Sequence, residues 1–285
     1  MDIPWVVHGF STRRGGFSQV YGEHALNLGY TEHDTRDAVN RNRELFLEAL
    51  GTSNWPIIGT RQIHSSIVHC VSGFSGNGQA HAEVSHLPAG DGLITDVQGV
   101  LLGVKTADCL PILLADARQR VVGALHAGWR GTVARIAEKG VGEMRKAFGS
   151  RPEHIRAAIG PGVRRCCYEV GEEVRQQFAS QFDYADTLLE EVADDNEIHR
   201  KYPLLFMNMR APGHGEPPRK LHLDLVEANR RQLLAAGVPP GNIAVSELCT
   251  ACRTDLLFSH RAEKGRTGRL LAVIGIRAEL NSTAC

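Results

Sequence analysis

The stretch KTADCLPILLADARQRVVGALHAGWRGT, residues 105–132, sets a thiol and an imidazole at the ends of two apolar runs. Cys109 stands just before 110–115, and His126 just after 121–125. A cysteine beside a core strand is most often a small buried hydrophobe, and a single histidine after an apolar run is usually a satisfied core or surface residue. The neighbours argue for more. Asp108 and Pro111 flank the cysteine, a poor choice for simple filling, and "HAGWRG" lets backbone and charge approach a ligand. If the two runs form a hairpin, both residues lie at one end of a sheet. Two chemistries follow. His64, in "RQIHS", would complete a set of one thiolate and two imidazoles. Zinc on such a set keeps one tetrahedral position open, as catalytic sites do. Without metal, Cys109 as nucleophile and His126 as base would cleave an amide, such as a cell-wall precursor. Spacing alone leaves open whether His64 joins the other two.

Other reactive residues read more plainly. The lone CxxC at 249–252 has no second copy to complete a structural zinc site. The vicinal pair Cys166 and Cys167 reads as packing. Arg13, Arg130 and Arg269 sit in glycine-rich surroundings and together suit an anion such as phosphate, through forked hydrogen bonds. No GxGxxG, GxxxxGK[ST], HExxH or GxSxG motif is present. None of the 13 histidines forms a His-x-His pair, which argues against a centre of several coppers and hence against a copper-dependent polyphenol oxidase.

The elements that must position these residues alternate between strand and helix. The sequence predicts a first strand at 5–10, a glycine-rich turn at 11–18 and a helix at 35–51 stopped by Gly51. Two short strands at 57–71 surround His64, and 72–92 reads as a long loop. Runs at 100–104, 111–115 and 121–125 suggest an antiparallel meander. Thr132 is expected to cap a helix through Phe148, with Ile136, Val141 and Met144 on one face. A strand at 155–160 and a helix at 171–180 precede a mixed segment at 190–220. Asp224 starts a helix at 225–237, and strands at 242–248 and 270–276 follow. The meander pieces favour an α+β fold over a doubly wound sheet, and no repeat or linker divides the 285 residues.

Lys+Arg and Asp+Glu are both 32, so a nucleic-acid or anionic-membrane surface is not expected. The first residues lack the basic start and long apolar run of a signal peptide, and no stretch reaches the ~18 apolar residues of a membrane span. Seven cysteines without an export signal suggest reduced thiols and a cytoplasmic protein.

In this order the chain carries HGFSTRRGG, LNLG, QIHS, TADCLPILLAD, GALHAGWRGT, IGPGV, CCYEVG, LDL and GRTGR. This resembles the bacterial laccase-domain family, formerly multi-copper polyphenol oxidoreductases, over about residues 5 to 277. Arg14, Lys105 and Cys252 depart from the pattern. The resemblance implies a single α+β domain over 1–285, of layered mixed sheets with flanking helices, similar to a Cys–His toxin-type hydrolase fold. It implies His64, Cys109 and His126 as metal ligands, with zinc as the cofactor and copper as the alternative. It also implies phosphorolysis of adenosine, inosine and methylthioadenosine, with hydrolytic deamination of adenosine. On that reading Cys109, His126 and Asp108 are catalytic; Asp108 would shuttle a proton or orient a ligand histidine. Asn27 would bind ribose hydroxyls, and Arg13, Arg130 and Arg269 would hold phosphate. The expected partners are purine nucleosides and phosphate, with no nucleic acid or membrane, for a monomer or small homo-oligomer.

Overall fold

The computed structural model describes residues 2–72, 88–193 and 219–278. Its internal contacts divide the chain into two compact units, Met1–Val163 with Leu225–Cys285, and Arg164–Asp224.

The first unit rests on two mixed sheets. One has the order β1 (Val6–Phe10), β14 (Leu270–Ile276), β6 (Leu101–Thr106), β3 (Ile57–Ile58). The other runs β13 (Ile243–Val245), β9 (Ile155–Ile159), β7 (Leu110–Asp116), β8 (Val121–Ala127), β5 (Gly92–Thr95), β4 (Val68–Val71). Leu102, Val104, Ala272 and Ile274 of the first sheet meet Leu93, Leu113, Val122 and Ala124 of the second in one buried cluster. On the opposite face of the four-stranded sheet, α1 (Arg36–Ala49) packs Phe46 and Leu47 against Leu101, Leu271 and Val273. Strands covered on both faces bury both sets of side chains, which is why β7 and β8 read as continuous apolar runs. The α+β class with layered mixed sheets is the one expected from the sequence.

Local signals place most elements. Thr35 Oγ1 accepts the Ala38 N–H at 3.2 Å and caps α1. The hairpin of β7 and β8 is antiparallel, with Pro111 opposite His126. Three expectations are corrected. The run at 100–104 is not part of a meander: β6 joins the other sheet, between β14 and β3. Residues 132–148 are not one helix capped by Thr132. The Thr132 hydroxyl donates to Gly128 O at 2.9 Å inside α2 (Trp129–Val133), and Arg135, at φ 62°, breaks the chain before α3 (Ile136–Phe148). The expected turn at 11–18 contains β2 (Arg14–Ser18). Its polar groups are met by a helix side chain: Asn42 of α1 accepts from Phe17 N at 2.6 Å and donates to Ser18 Oγ at 2.9 Å. Residues 73–87 of the expected long loop and 194–218 of the mixed segment lie outside the described residues.

The second unit holds an antiparallel sheet of order β10 (Glu169–Val170), β12 (Arg219–Leu223), β11 (Leu189–Ala193), with α4 (Glu172–Gln181) and α5 (Ala185–Leu188). Val174 and Phe178 of α4, Ala185 and Leu188 of α5, and Phe182 between them are buried. The remaining helix, α6 (Leu225–Ala235), belongs to the first unit and lies against α3. Among the described residues no helix is long and apolar enough to cross a membrane.

Candidate metal centre

Cys109 and His126 end neighbouring strands of the β7–β8 hairpin, and the segment leading to β4 brings His64 to the same end of the sheet. One donor atom from each lies within 4.8 Å of the other two. The imidazoles meet edge to face, with ring centroids 5.2 Å apart. His64 is exposed, Cys109 is partly buried and His126 is buried. The set is therefore fixed at its base and open at one side.

Asp91, missed by the sequence reading, holds this arrangement. It is fully buried at the start of β5, and its backbone carbonyl accepts the His126 N–H at 2.7 Å. Its Oδ1 lies 2.8 Å from His126 Nδ1 and accepts His64 N–H at 3.0 Å. Its Oδ2 accepts Ser65 N–H at 2.6 Å, Ser65 Oγ–H at 2.7 Å and Ile63 N–H at 3.2 Å. One carboxylate thus orients a ring and binds the loop that carries another. This loop needs such support, because His64 itself sits at φ 58°. With Asp91 ionised, the proton of neutral His126 resides on Nδ1, which leaves Nε2 as the donor for a metal.

The electrostatics agree. Burial would raise the Asp91 pKa, but the His126 and Ser65 hydrogen bonds hold it well below the usual carboxylate range. Burial also pushes the Cys109 thiol up; the charge and hydrogen bond of His126, then those of His64, bring it down to about 6. Burial disfavours a charged His126, yet the facing Cys109 thiolate and Asp91 raise its pKa to about 9. In metal-free protein, alkylation of Cys109 by iodoacetamide is expected to reach half its limiting rate at a pH of about 6. An ordinary thiol does so near ~8.5. Mass mapping of the Cys109 peptide across pH measures this, and a midpoint above 8 denies the pairing.

These residues fit a metal. A sulfur and two imidazole nitrogens are a zinc donor set, and bonds of ~2.0–2.3 Å from a common centre leave donors within the observed mutual reach. The close backbone also fits: a Cβ added at Gly128 would lie 2.9 Å from Cys109 Sγ and 3.1 Å from His64 Cδ2.

The structure places the remaining expected residues differently. Asp108 does not face the histidines. Its backbone is at φ 96°, and its carboxylate accepts Thr250 Oγ–H, Ser259 Oγ–H and Arg261 N–H, each at 2.7 Å. It fixes the turn into β7, so neither the proton-shuttle nor the histidine-orienting expectation holds. Asp108→Ala is expected to cost about 3 kcal/mol through orphaned buried donors, lowering the melting temperature by roughly 6–12 °C. Metal content at room temperature should stay near that of the wild type; calorimetry with metal analysis checks both.

Asn27 is fully buried. Its amide donates to Gly29 O and Asp34, and its oxygen accepts Gly29 N–H and Arg269 N–H. That fills its donors and lone pairs and leaves none for a ribose hydroxyl. Arg13 donates to Thr254 O and Tyr21 O at 2.6 Å, pairs with Glu263 at 3.1 Å and covers the Phe258 ring, so it braces loops and has no fork left for phosphate. Arg130 is exposed on α2, the helix that follows β8, over the Trp129 ring. Arg269 lies at the mouth of β14, away from Arg13 in its contacts.

Residues 7–277 match the family described as multi-copper polyphenol oxidoreductase laccase. The chain is 37% identical over 274 residues to the purine nucleoside phosphorylase YlmD of Geobacillus stearothermophilus, covering 96% of this chain and 91% of that protein. It is 35% identical over 268 residues to the adenosine deaminase RL5 of an unknown prokaryotic organism, covering 92% and 91%. The fold is similar to the crystal structure of the Bacillus licheniformis hypothetical protein YfiH, with a TM-score of 0.80, 32% identity and coverage of 95% and 93%. With a sequence match spanning nearly every described element, the chain belongs to the family described as multi-copper polyphenol oxidoreductase laccase.

Proposed function

We propose that this chain is a metal-dependent purine nucleoside enzyme acting as one unit over residues 1–285. It splits adenosine, inosine and methylthioadenosine with phosphate into free base and ribose or methylthioribose 1-phosphate, and it hydrolyses adenosine to inosine. The observation that carries this reading is the open three-donor set of His64, Cys109 and His126 on the Asp91 frame. The names of its full-length relatives supply the substrate class. Three donors around one centre suit one metal ion, zinc by donor type with copper as the alternative, despite the several coppers in the family's description. Bound there, the metal would supply Lewis-acid polarisation and activation of water. The chain's own residues do the rest. Asp91 keeps the His126 proton on Nδ1, Cys109 offers a thiolate at neutral pH, and the exposed His64 side leaves room for a nucleoside. We place the protein in the cytoplasm, as a monomer or small homo-oligomer.

A second reading has its own observation. The relay from Cys109 through His126 to Asp91 is also the arrangement of a metal-free cysteine hydrolase. The deciding experiment is chromatography of products from adenosine, with and without phosphate, using metal-quantified and chelator-stripped protein. Inosine without phosphate, and free base with ribose 1-phosphate when phosphate is added, are expected only from loaded protein. Loaded protein that converts no purine nucleoside ends the first reading.

A further inference from the structure

Three cations that no acid among the described residues neutralises gather on the α1 side of the four-stranded sheet. Side chains alternate along β6: Leu102 and Val104 enter the core between the sheets, while Leu101 faces α1. Lys105 is in phase with Leu101 and so projects toward α1. Arg269 is in phase with Leu271 and Val273 of β14, which face the same way, and Leu271 pairs with Lys105. Arg43 reaches in from α1, buried. Gly29 lies over the group, and a Cβ there would stand 2.7 Å from Arg269 Cβ and Cγ and 3.8 Å from Lys105 Cδ.

Each cation is positioned from outside the group. Gln62 brackets the Lys105 backbone, accepting its N–H at 2.9 Å and donating to its carbonyl at 2.8 Å. Arg43 Nε donates to Leu28 O at 3.0 Å, and its guanidinium lies over the Tyr30 ring. The Arg269 N–H is held by Asn27, and its Nη1 by Thr267 O and Gly268 O. Among the described residues no carboxylate pairs with any of the three, and Lys105 Nζ has no hydrogen-bond acceptor. Asp34, which the same network reaches through Asn27, is spent on Ser18, Asn27 and Thr35. Burial, then the charges of Arg43 and Arg269, push the Lys105 pKa below its ordinary range. The fold thus maintains a repulsion that a multivalent oxyanion relieves. Chain continuity ties the cluster to the metal centre, since Gln62 precedes His64 by two residues and Lys105 precedes Cys109 by four.

We propose that Arg43, Lys105 and Arg269 form an oxyanion site whose occupant is inorganic phosphate, the co-substrate of phosphorolysis; this assignment of the occupant rests on the phosphorylase reading above. Titration calorimetry of the metal-loaded protein with phosphate, at constant ionic strength, is expected to show one site in the submillimolar range, about 0.1–1 mM. Lys105→Met should weaken binding at least tenfold, and Lys105→Arg should retain it. Melting curves add a readout that a merely structural role would not produce. In phosphate-free buffer Lys105→Met should melt above the wild type, because one of three repelling charges is gone. Phosphate should then raise the melting temperature of the wild type but not of this variant. In turnover, Lys105→Met should raise the KM for phosphate at least tenfold and lower the ratio of phosphorolysis to deamination. Absence of saturable phosphate binding by the wild type, or equal binding by Lys105→Met, overturns the site. Phosphate binding lost in Lys105→Met from a protein inert toward nucleosides would uphold the anion site and remove the phosphorylase reading. Phosphorolysis with an unchanged KM for phosphate in Lys105→Met would do the reverse.

Discussion

Asp91→Asn is expected to lower metal affinity by about 10–100-fold and to reduce nucleoside turnover at least in proportion. The substitution keeps the size of the side chain and changes what it can accept. The carboxylate receives the His126 ring together with the N–H groups of Ile63, His64 and Ser65 and the Ser65 hydroxyl. An amide has one acceptor oxygen, and its NH₂ would face donors on the other side. Either the His126 ring or the 63–65 loop loses its partner. Because Asp91 is fully buried, no water replaces that partner cheaply, and folding stability should fall by roughly 2–4 kcal/mol. Metal quantification after dialysis, turnover at saturating metal and a denaturant titration measure the three effects. Full metal affinity and full turnover in this variant would remove Asp91 from the centre. Asp108→Ala is the natural comparison, since it should destabilise the fold without stripping the metal.

Cys109→Ala should reduce stoichiometric metal binding to a trace and cut both nucleoside activities by at least ~10³-fold, the range set by losing a group on which the chemistry depends. Two imidazoles remain, but neutral nitrogen donors alone neither offset the dication's charge nor complete a three-ligand face. The loss should also remove the stabilisation that bound metal confers on the folded state, so added zinc should raise the melting temperature of the wild type and not of the variant. Unchanged rates would show that the chemistry lies elsewhere. The same variant also inactivates a metal-free cysteine hydrolase, so chelator-stripped wild type must be tested beside it. A stripped protein that retains full activity and traps a thiol-directed amide analogue on Cys109 would favour the hydrolase.

The two-residue heart of the site was legible in the sequence. Cys109 and His126 flank apolar runs joined by a short turn, and a short turn between two runs makes the hairpin that pairs their ends. Capping and stop signals likewise placed α1. His64 was not derivable from spacing, because the loop leading to β4 joins the hairpin only through β5, and its expected place beside Cys109 and His126 came from the family resemblance. Asp91 escaped because it lies at the end of a glycine-rich segment that reads as loop. Its one local signal was an acid directly before the short strand 92–95, whereas Asp108 drew attention as the neighbour of Cys109. Spacing could not tell these two aspartates apart. Register across β5 and β8 sets Asp91 beside His126, whereas a backbone at φ 96° and three donors turn Asp108 toward Thr250, Ser259 and Arg261.

Asn27 and Arg13 teach the same lesson from the polar side. Residue type showed what they are able to bind, but their partners, Glu263 for Arg13 and Arg269 for Asn27, come from the far end of the sequence and leave nothing for a substrate. Lys105 and Arg43, silent as individual residues, gained meaning only when β6 joined the four-stranded sheet and turned Lys105 toward α1. By itself the sequence determined most of the elements, the hairpin and the chemical types available, since these follow from local periodicity and turn propensity. The tertiary structure decided which polar groups are spent on the fold and which remain for a metal or an anion, because strand register and burial are set by partners distant in the chain.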